Sequence, residues 1–130
     1  MATRESTVYV IDDDESIRKS FQRLFRSANL NVETFPSPDE FLAFPIQAKD
    51  ACILLDIRMP GTTGFDLQQK LSDVGISLPV IVVSASDDVQ VRETAQRLGA
   101  VSFFRKPVDD QALLDAILWA ISAAAKGMSR

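Results

Sequence analysis

The chain has 130 residues, 46% hydrophobic and 25% charged, the balance of one globular domain with a sizeable core. Its 14 Lys and Arg against 18 Asp and Glu leave a formal net charge of −4, which argues against a nucleic-acid footprint within these residues. With no histidine and one cysteine, the chain excludes Ser-His-Asp and Cys-His nucleophile systems, His-ligated zinc or haem, internal disulfides and CxxC motifs.

The first residues, Met-Ala-Thr-Arg-Glu-Ser, are polar and predict no signal peptide. Thr7 to Ile11 is rich in β-branched residues and predicts a strand. It runs into Asp12-Asp13-Asp14-Glu15, four consecutive acids that account for the whole net charge, since 18 − 4 leaves 14 acids against 14 bases. Such a run is costly unless something positive lies beside it. Ile17, Phe21, Leu24, Phe25 and Ala28 then recur at helical spacing. Asn31 to Phe35 alternates as a half-buried strand, with Val32 and Thr34 on one face. Ser37-Pro38-Asp39-Glu40 has the form of a capping box with Pro at the first helical position, opening a short helix.

Ala51 to Leu55 is a continuous apolar run ending at Asp56, the pattern of a strand buried on both faces, in which Cys52 acts as a small hydrophobe. Leu67, Leu71 and Val74 mark the next helix, stopped by Gly75. Pro79 to Val83 is another buried strand, followed by Ser84-Ala85-Ser86-Asp87, where Ser86 or Asp87 suits the cap of the following helix. Val91, Ala95 and Leu98 define that helix, and Gly99 ends it. Val101 to Phe104 is a fifth strand, leading into Arg105-Lys106-Pro107. Leu113, Leu114, Ile117, Leu118 and Ile121 define the last helix, with Trp119 assigned to helix packing or to a partner or linker contact. Its apolar run is shorter than the about 18 residues a membrane span requires. The expected division is a domain over 1–125 and a tail or linker start over 126–130.

Five strands separated by helices pair in parallel, with right-handed crossovers covering both faces. The expected fold is therefore α/β: a flavodoxin-like, doubly wound three-layer sandwich with strand order 2-1-3-4-5. In such sheets the functional crevice lies at the carboxyl ends of the strands. There the sequence delivers Asp12 and Asp13 after the first strand, Asp56 after the third, Ser84 after the fourth and Lys106 after the fifth.

Converging carboxylates repel one another, and a hard divalent cation resolves the conflict. Mg²⁺ accepts a few carboxylate and carbonyl oxygens and keeps several waters. Asp13 and Asp56 are the best ligands, with Asp12 acting directly or through water and a backbone carbonyl after Asp56 completing the set. Carboxylates, a cation, the Lys106 ammonium and the Ser84 hydroxyl together describe a phosphoryl site, with Asp56 as nucleophile. Neither GxxxxGK[ST] nor GxGxxG is present.

These residues resemble the CheY-like receiver domains of two-component response regulators. The resemblance rests on Val-Ile-Asp12-Asp13, on Leu-Leu-Asp56-Ile-Arg-Met59-Pro60-Gly-Thr-Thr-Gly64, on Ser84-Ala85 and on Lys106-Pro107, spread from about Val8 to Ile121. The stretches DIRMPGTTG and FFRKPVDDQALLDAI look most like the FixJ branch. The resemblance implies that Asp56 is the phosphoacceptor and that Asp12, Asp13 and the carbonyl of Arg58 help to hold Mg²⁺. It implies that Ser84 is a switch hydroxyl, that Lys106 pairs with the phosphoryl group, that the Lys106-Pro107 bond is cis, and that Phe103 is an aromatic that follows the hydroxyl inward. It further implies a sensor histidine kinase as donor, a possible homodimer through the surface of helix 4, strand 5 and helix 5, and DNA contact only through an effector domain not present here. On this reading the protein is cytoplasmic, has no membrane partner, and is no enzyme beyond its own phosphorylation and dephosphorylation. The rival expectations are a Mg²⁺-dependent phosphatase or phosphotransferase on a small metabolite, and a non-phosphorylated scaffold. Two features depart from the family pattern: Asp14 and Glu15 add acids that start the first helix favourably, and the Ser84–Asp87 loop lacks a glycine.

Overall fold

The computed structural model describes residues 6–46, 50–57, 63–86 and 88–125. Five strands, β1 (Thr7–Ile11), β2 (Asn31–Phe35), β3 (Ala51–Asp56), β4 (Val80–Ser84) and β5 (Ala100–Arg105), form one parallel sheet in the order β2-β1-β3-β4-β5. Five helices alternate with them: α1 (Glu15–Ser27), α2 (Pro38–Ala43), α3 (Gly64–Asp73), α4 (Val89–Arg97) and α5 (Asp110–Ala125). The expected doubly wound α/β sandwich is thus the observed one.

The apolar runs become strands because they feed two cores at once. In β1 and β3, Tyr9, Ile11, Ile53 and Leu55 face a cluster with Phe41 of α2, Leu67 and Leu71 of α3 and Ala95 of α4. Their neighbours Val8, Val10, Cys52 and Leu54 face Phe21 and Phe25 of α1 and Leu113 and Ile117 of α5. Alternation along a strand therefore divides the core between the two helical layers. β2 and β5 lie at the edges and are less buried.

Local chemistry sets the helix ends. Asp14 caps α1, accepting from the Ile17 amide at 3.2 Å, and Glu15 lies in its first turn. Ser37 caps α2 by accepting from the Glu40 amide. Thr63 and Asp66 exchange both bonds of a capping box at α3. At α4 the cap is Asp88, which accepts from Gln90, so the expectation of Ser86 is corrected by two residues; Asp87 lies outside the described residues. Gly75 and Gly99 adopt φ of +80° and +106° and end their helices as expected. Val74 is 64% exposed: α3 ends at Asp73, and the next residue turns off the buried stripe that Leu67 and Leu71 occupy. Trp119 is likewise 59% exposed, which removes helix packing as its role.

Between β4 and β5 the register slips by one residue. Val80 pairs with Ala100, but Ile81 pairs with Ser102. This bulge in β5 places Phe103 level with Val82, against the α2–α4 core, and Phe104 level with Val83, against the α1–α5 core. Among the described residues, no helix is long and apolar enough to cross a membrane.

Candidate functional site

Strand register brings the expected groups to one end of the sheet. Ile11 pairs with Leu55, so Asp12 and Asp56 stand one step beyond the same rung. The Asp12 amide still donates to the Phe35 carbonyl at 3.1 Å, extending the β1–β2 edge by one bond. Ser84 ends β4 beside Arg105, and the Lys106 amide donates to the Ser84 carbonyl at 2.8 Å. The backbone thus brings Lys106 to the same end of the sheet as the carboxylates, and the Lys106-Pro107 bond that follows is cis.

One carboxylate oxygen each from Asp12, Asp13 and Asp56 lies within 4.8 Å of the others. Asp12 and Asp56 are buried and Asp13 is exposed. Lys106 Nζ donates to Asp12 Oδ2 at 2.9 Å and to Asp56 Oδ2 at 3.3 Å. Partial burial pulls the lysine pKa down. The hydrogen bond to Asp12 and the charges of Asp56 and Asp12 more than offset this and hold it above its ordinary value. Lys106 is therefore the positive neighbour that the acidic run required.

The donor set fits a hard divalent cation. All three side chains offer oxygen, the group carries a formal charge of −3 + 1 = −2, and exposed Asp13 leaves an approach from solvent. Asp12 Oδ1 accepts the Asp14 amide at 2.9 Å while Oδ2 takes Lys106, so both of its oxygens are already engaged. Asp13, exposed, offers its carboxylate from the solvent side of the cluster, and Asp56 offers one from the end of β3. Arg58, whose carbonyl was expected to join them, lies outside the described residues, as do Met59 to Gly61.

The other expected residues are close in topology and differently engaged. Ser84 is fully buried, and its Oγ accepts the Ser86 amide at 3.1 Å within the loop after β4. Phe103 lies on β5, partly buried against the α2–α4 core, with the Arg92 guanidinium 4.8 Å from its ring centroid. Cys52 is buried and its thiol is pushed up to about 12 by desolvation, as befits an inert core residue.

Three supporting residues escape a reading of the sequence alone. Arg18 Nη1 donates to the Asp12 carbonyl at 2.7 Å. Gly64 packs so closely on β3 that a Cβ there would lie 2.8 Å from the Asp56 carbonyl oxygen and 2.7 Å from Ile57 Cα. Buried Gln68 of α3 donates through Nε2 to the Ala95 carbonyl of α4 at 3.1 Å. Only Gly64 left a signal, as the last residue of the sequence motif that contains Asp56.

The family model for the response regulator receiver domain matches residues 8–118. The transcriptional regulatory protein TdiR of Thauera aromatica is 44% identical over 112 residues, covering 86% of this chain and 49% of that protein. Among solved structures, the response regulator StyR superposes with a TM-score of 0.86 at 38% identity, over 93% of this chain and 61% of that one. The FixJ-N crystal structure gives 0.82 at 33% identity, over 90% and 94%. The chain spans about half the length of the curated relatives it matches.

Proposed function

The chain belongs to the response regulator receiver domain family, and we propose that within it Asp56 accepts the phosphoryl group. The observation that carries the assignment is Lys106 Nζ spanning Asp12 and Asp56 beside exposed Asp13. On this reading Asp12, Asp13 and Asp56 hold Mg²⁺, with the Arg58 carbonyl as a further ligand. When bound, Mg²⁺ neutralises charge on the phosphoryl oxygens during transfer.

The donor is a sensor histidine kinase, since the chain has no histidine of its own. An Asp56 carboxylate oxygen attacks phosphorus, the P–N bond of the donor phosphohistidine breaks, and the departing imidazole takes a proton from solvent. Lys106 then releases its carboxylate partners in favour of the phosphoryl oxygens. Ser84 exchanges its bond from the Ser86 amide for one to the same group, and Phe103 follows it. The switch is a population shift, because these contacts exist only in the phosphorylated arrangement. Water later hydrolyses the acyl phosphate.

Receiver domains of this family are parts of signalling regulators rather than metabolic enzymes. Relatives named as transcriptional regulators are about twice as long as this chain. That supports an output through a DNA-binding domain beyond residues 1–125, with 126–130 as the tail or linker start, acting in the cytoplasm. Exposed Val89 on α4 and Trp119 on α5 support dimerisation through the α4–β5–α5 surface.

Incubation with acetyl phosphate and Mg²⁺, followed by intact-protein mass spectrometry, tests the reading. The expected result is one phosphoryl adduct, absent in Asp56→Asn and absent without the cation. Persistence of the adduct in Asp56→Asn overturns it, and multiple-turnover release of phosphate from a metabolite would favour a phosphatase instead.

A further inference from the structure

We propose that Arg18 is a positioning residue for the cation site, holding the turn between β1 and α1 so that Asp12 and Asp13 converge. The inference rests on the reading that this site binds Mg²⁺. Asp13 stands between two carbonyls, those of Asp12 and Asp14, and Arg18 takes both. Its side-chain Nη1 donates to the Asp12 carbonyl at 2.7 Å, and its own amide donates to the Asp14 carbonyl at 3.0 Å. β1 ends at Ile11, so the Asp12 carbonyl lies past the last residue of the strand. A charge-assisted bond there fixes the peptide plane that leads into Asp13. The Asp14 amide, donating to Asp12 Oδ1 at 2.9 Å, closes the turn from the other side. Exposed Asp13 therefore owes its placement to the backbone, and the Arg18 guanidinium supplies the bond that holds the Asp12 carbonyl just before it.

The alternative role for Arg18 is charge balance beside four consecutive acids. The two roles predict opposite signs. A cation that serves only to balance charge competes with Mg²⁺, so removing it tightens metal binding. A positioning residue loosens metal binding when removed, by about tenfold for a typical outer-shell partner.

The Mg²⁺ dissociation constant, read from NMR titration of the amides of residues 12 to 14, decides between them. Arg18→Met is expected to raise it about tenfold despite the lost positive charge, with little dependence on ionic strength. Arg18→Lys keeps the charge and a single donor, and is expected to fall between Met and wild type. An affinity equal to or above wild type in these variants overturns the proposal. Should Arg18→Met fail to fold, Arg18→Lys carries the same decision alone. Wild-type protein that does not bind Mg²⁺ at all would bring down the underlying reading of the site, and this inference with it.

Discussion

Lys106 Nζ makes its shorter bond, 2.9 Å, to Asp12 and its longer one, 3.3 Å, to Asp56. The ammonium is thus anchored on the carboxylate that is not the proposed acceptor. It holds positive charge against Asp56 while committing that group less. The same contact ties the end of β5 to the ends of β1 and β3.

Replacing Lys106 by Met leaves two buried carboxylates without their counter-charge. The expected cost in metal-free buffer is about 3 kcal/mol, measured by urea unfolding. Saturating Mg²⁺ narrows the gap, and the variant binds Mg²⁺ more tightly than wild type. An unchanged gap on adding Mg²⁺ would show that Lys106 and the cation do not share the site.

The pH dependence of the same pair has a fixed sign. Lys106 titrates above its ordinary value in the folded protein, so its contribution is complete below the unfolded lysine pKa, about 10.4. It is lost as pH rises through the folded value. Wild type should therefore approach Lys106→Met in stability only under strongly alkaline conditions. Convergence near pH 8 would contradict the raised pKa.

Asp12 and Asp13 should separate under substitution. Asp13→Asn removes an exposed ligand and a repelling charge. It weakens Mg²⁺ binding at least about tenfold and leaves metal-free melting equal or higher. Asp12→Asn sets an amide donor against either Lys106 or the Asp14 amide and lowers metal-free stability by about 1–3 kcal/mol. Thermal melts with and without Mg²⁺ distinguish the two patterns, and identical behaviour would refute the assigned division of labour.

Gly64→Ala places a methyl group 2.7–2.9 Å from the Asp56 carbonyl oxygen, Ile57 Cα and Ile57 Cδ1. Two of these are backbone atoms, so the strand end itself must move. The expected loss is about 2 kcal/mol, with slower phosphorylation by acetyl phosphate. Full stability together with a wild-type rate would mean that the α3 start can retreat without disturbing Asp56.

α4 buries only Ala95, and Arg92 over Phe103 ties it to β5. An exposed cation–π contact contributes about 0.5–1 kcal/mol. Arg92→Ala should therefore speed amide exchange across α4 about two- to fivefold, with α1 unaffected. Equal exchange in both helices would remove the contact as a tether.

Much of the fold was legible because its causes are local. Val8 to Ile11 and Ala51 to Leu55 are apolar enough to sit between two helical layers, and helices between such strands dictate parallel pairing. Asp12, Asp13, Asp56 and Lys106 were legible as a group because a parallel sheet aligns the carboxyl ends of its strands. Arg18 was not, because a cation one turn into a helix has the same sequence signature whether it is solvated or bound to a carbonyl. Val74 continues the helical period but falls beyond the last turn, and Asp88 outcompetes Ser86 as cap because the loop runs two residues further. Exposed Trp119 could not be told from a core residue, since α5 is apolar around much of its circumference.

The bulge in β5 was equally invisible, and it governs how the edge strand is wired. Side chains along a strand obey an odd–even rule, and one extra residue at Val101 inverts that parity for everything after it. Phe103 consequently faces the layer of α4 and Arg92, while Phe104 faces the layer of α5. Closing the bulge with Val101 retained, so that Val101 paired with Ile81, would exchange the two aromatics between layers with composition and hydropathy unchanged, whereas deleting Val101 would leave both where they are. The strand would still be a strand, but the proposed movement at Ser84 would pass through Phe103 to the opposite side of the sheet.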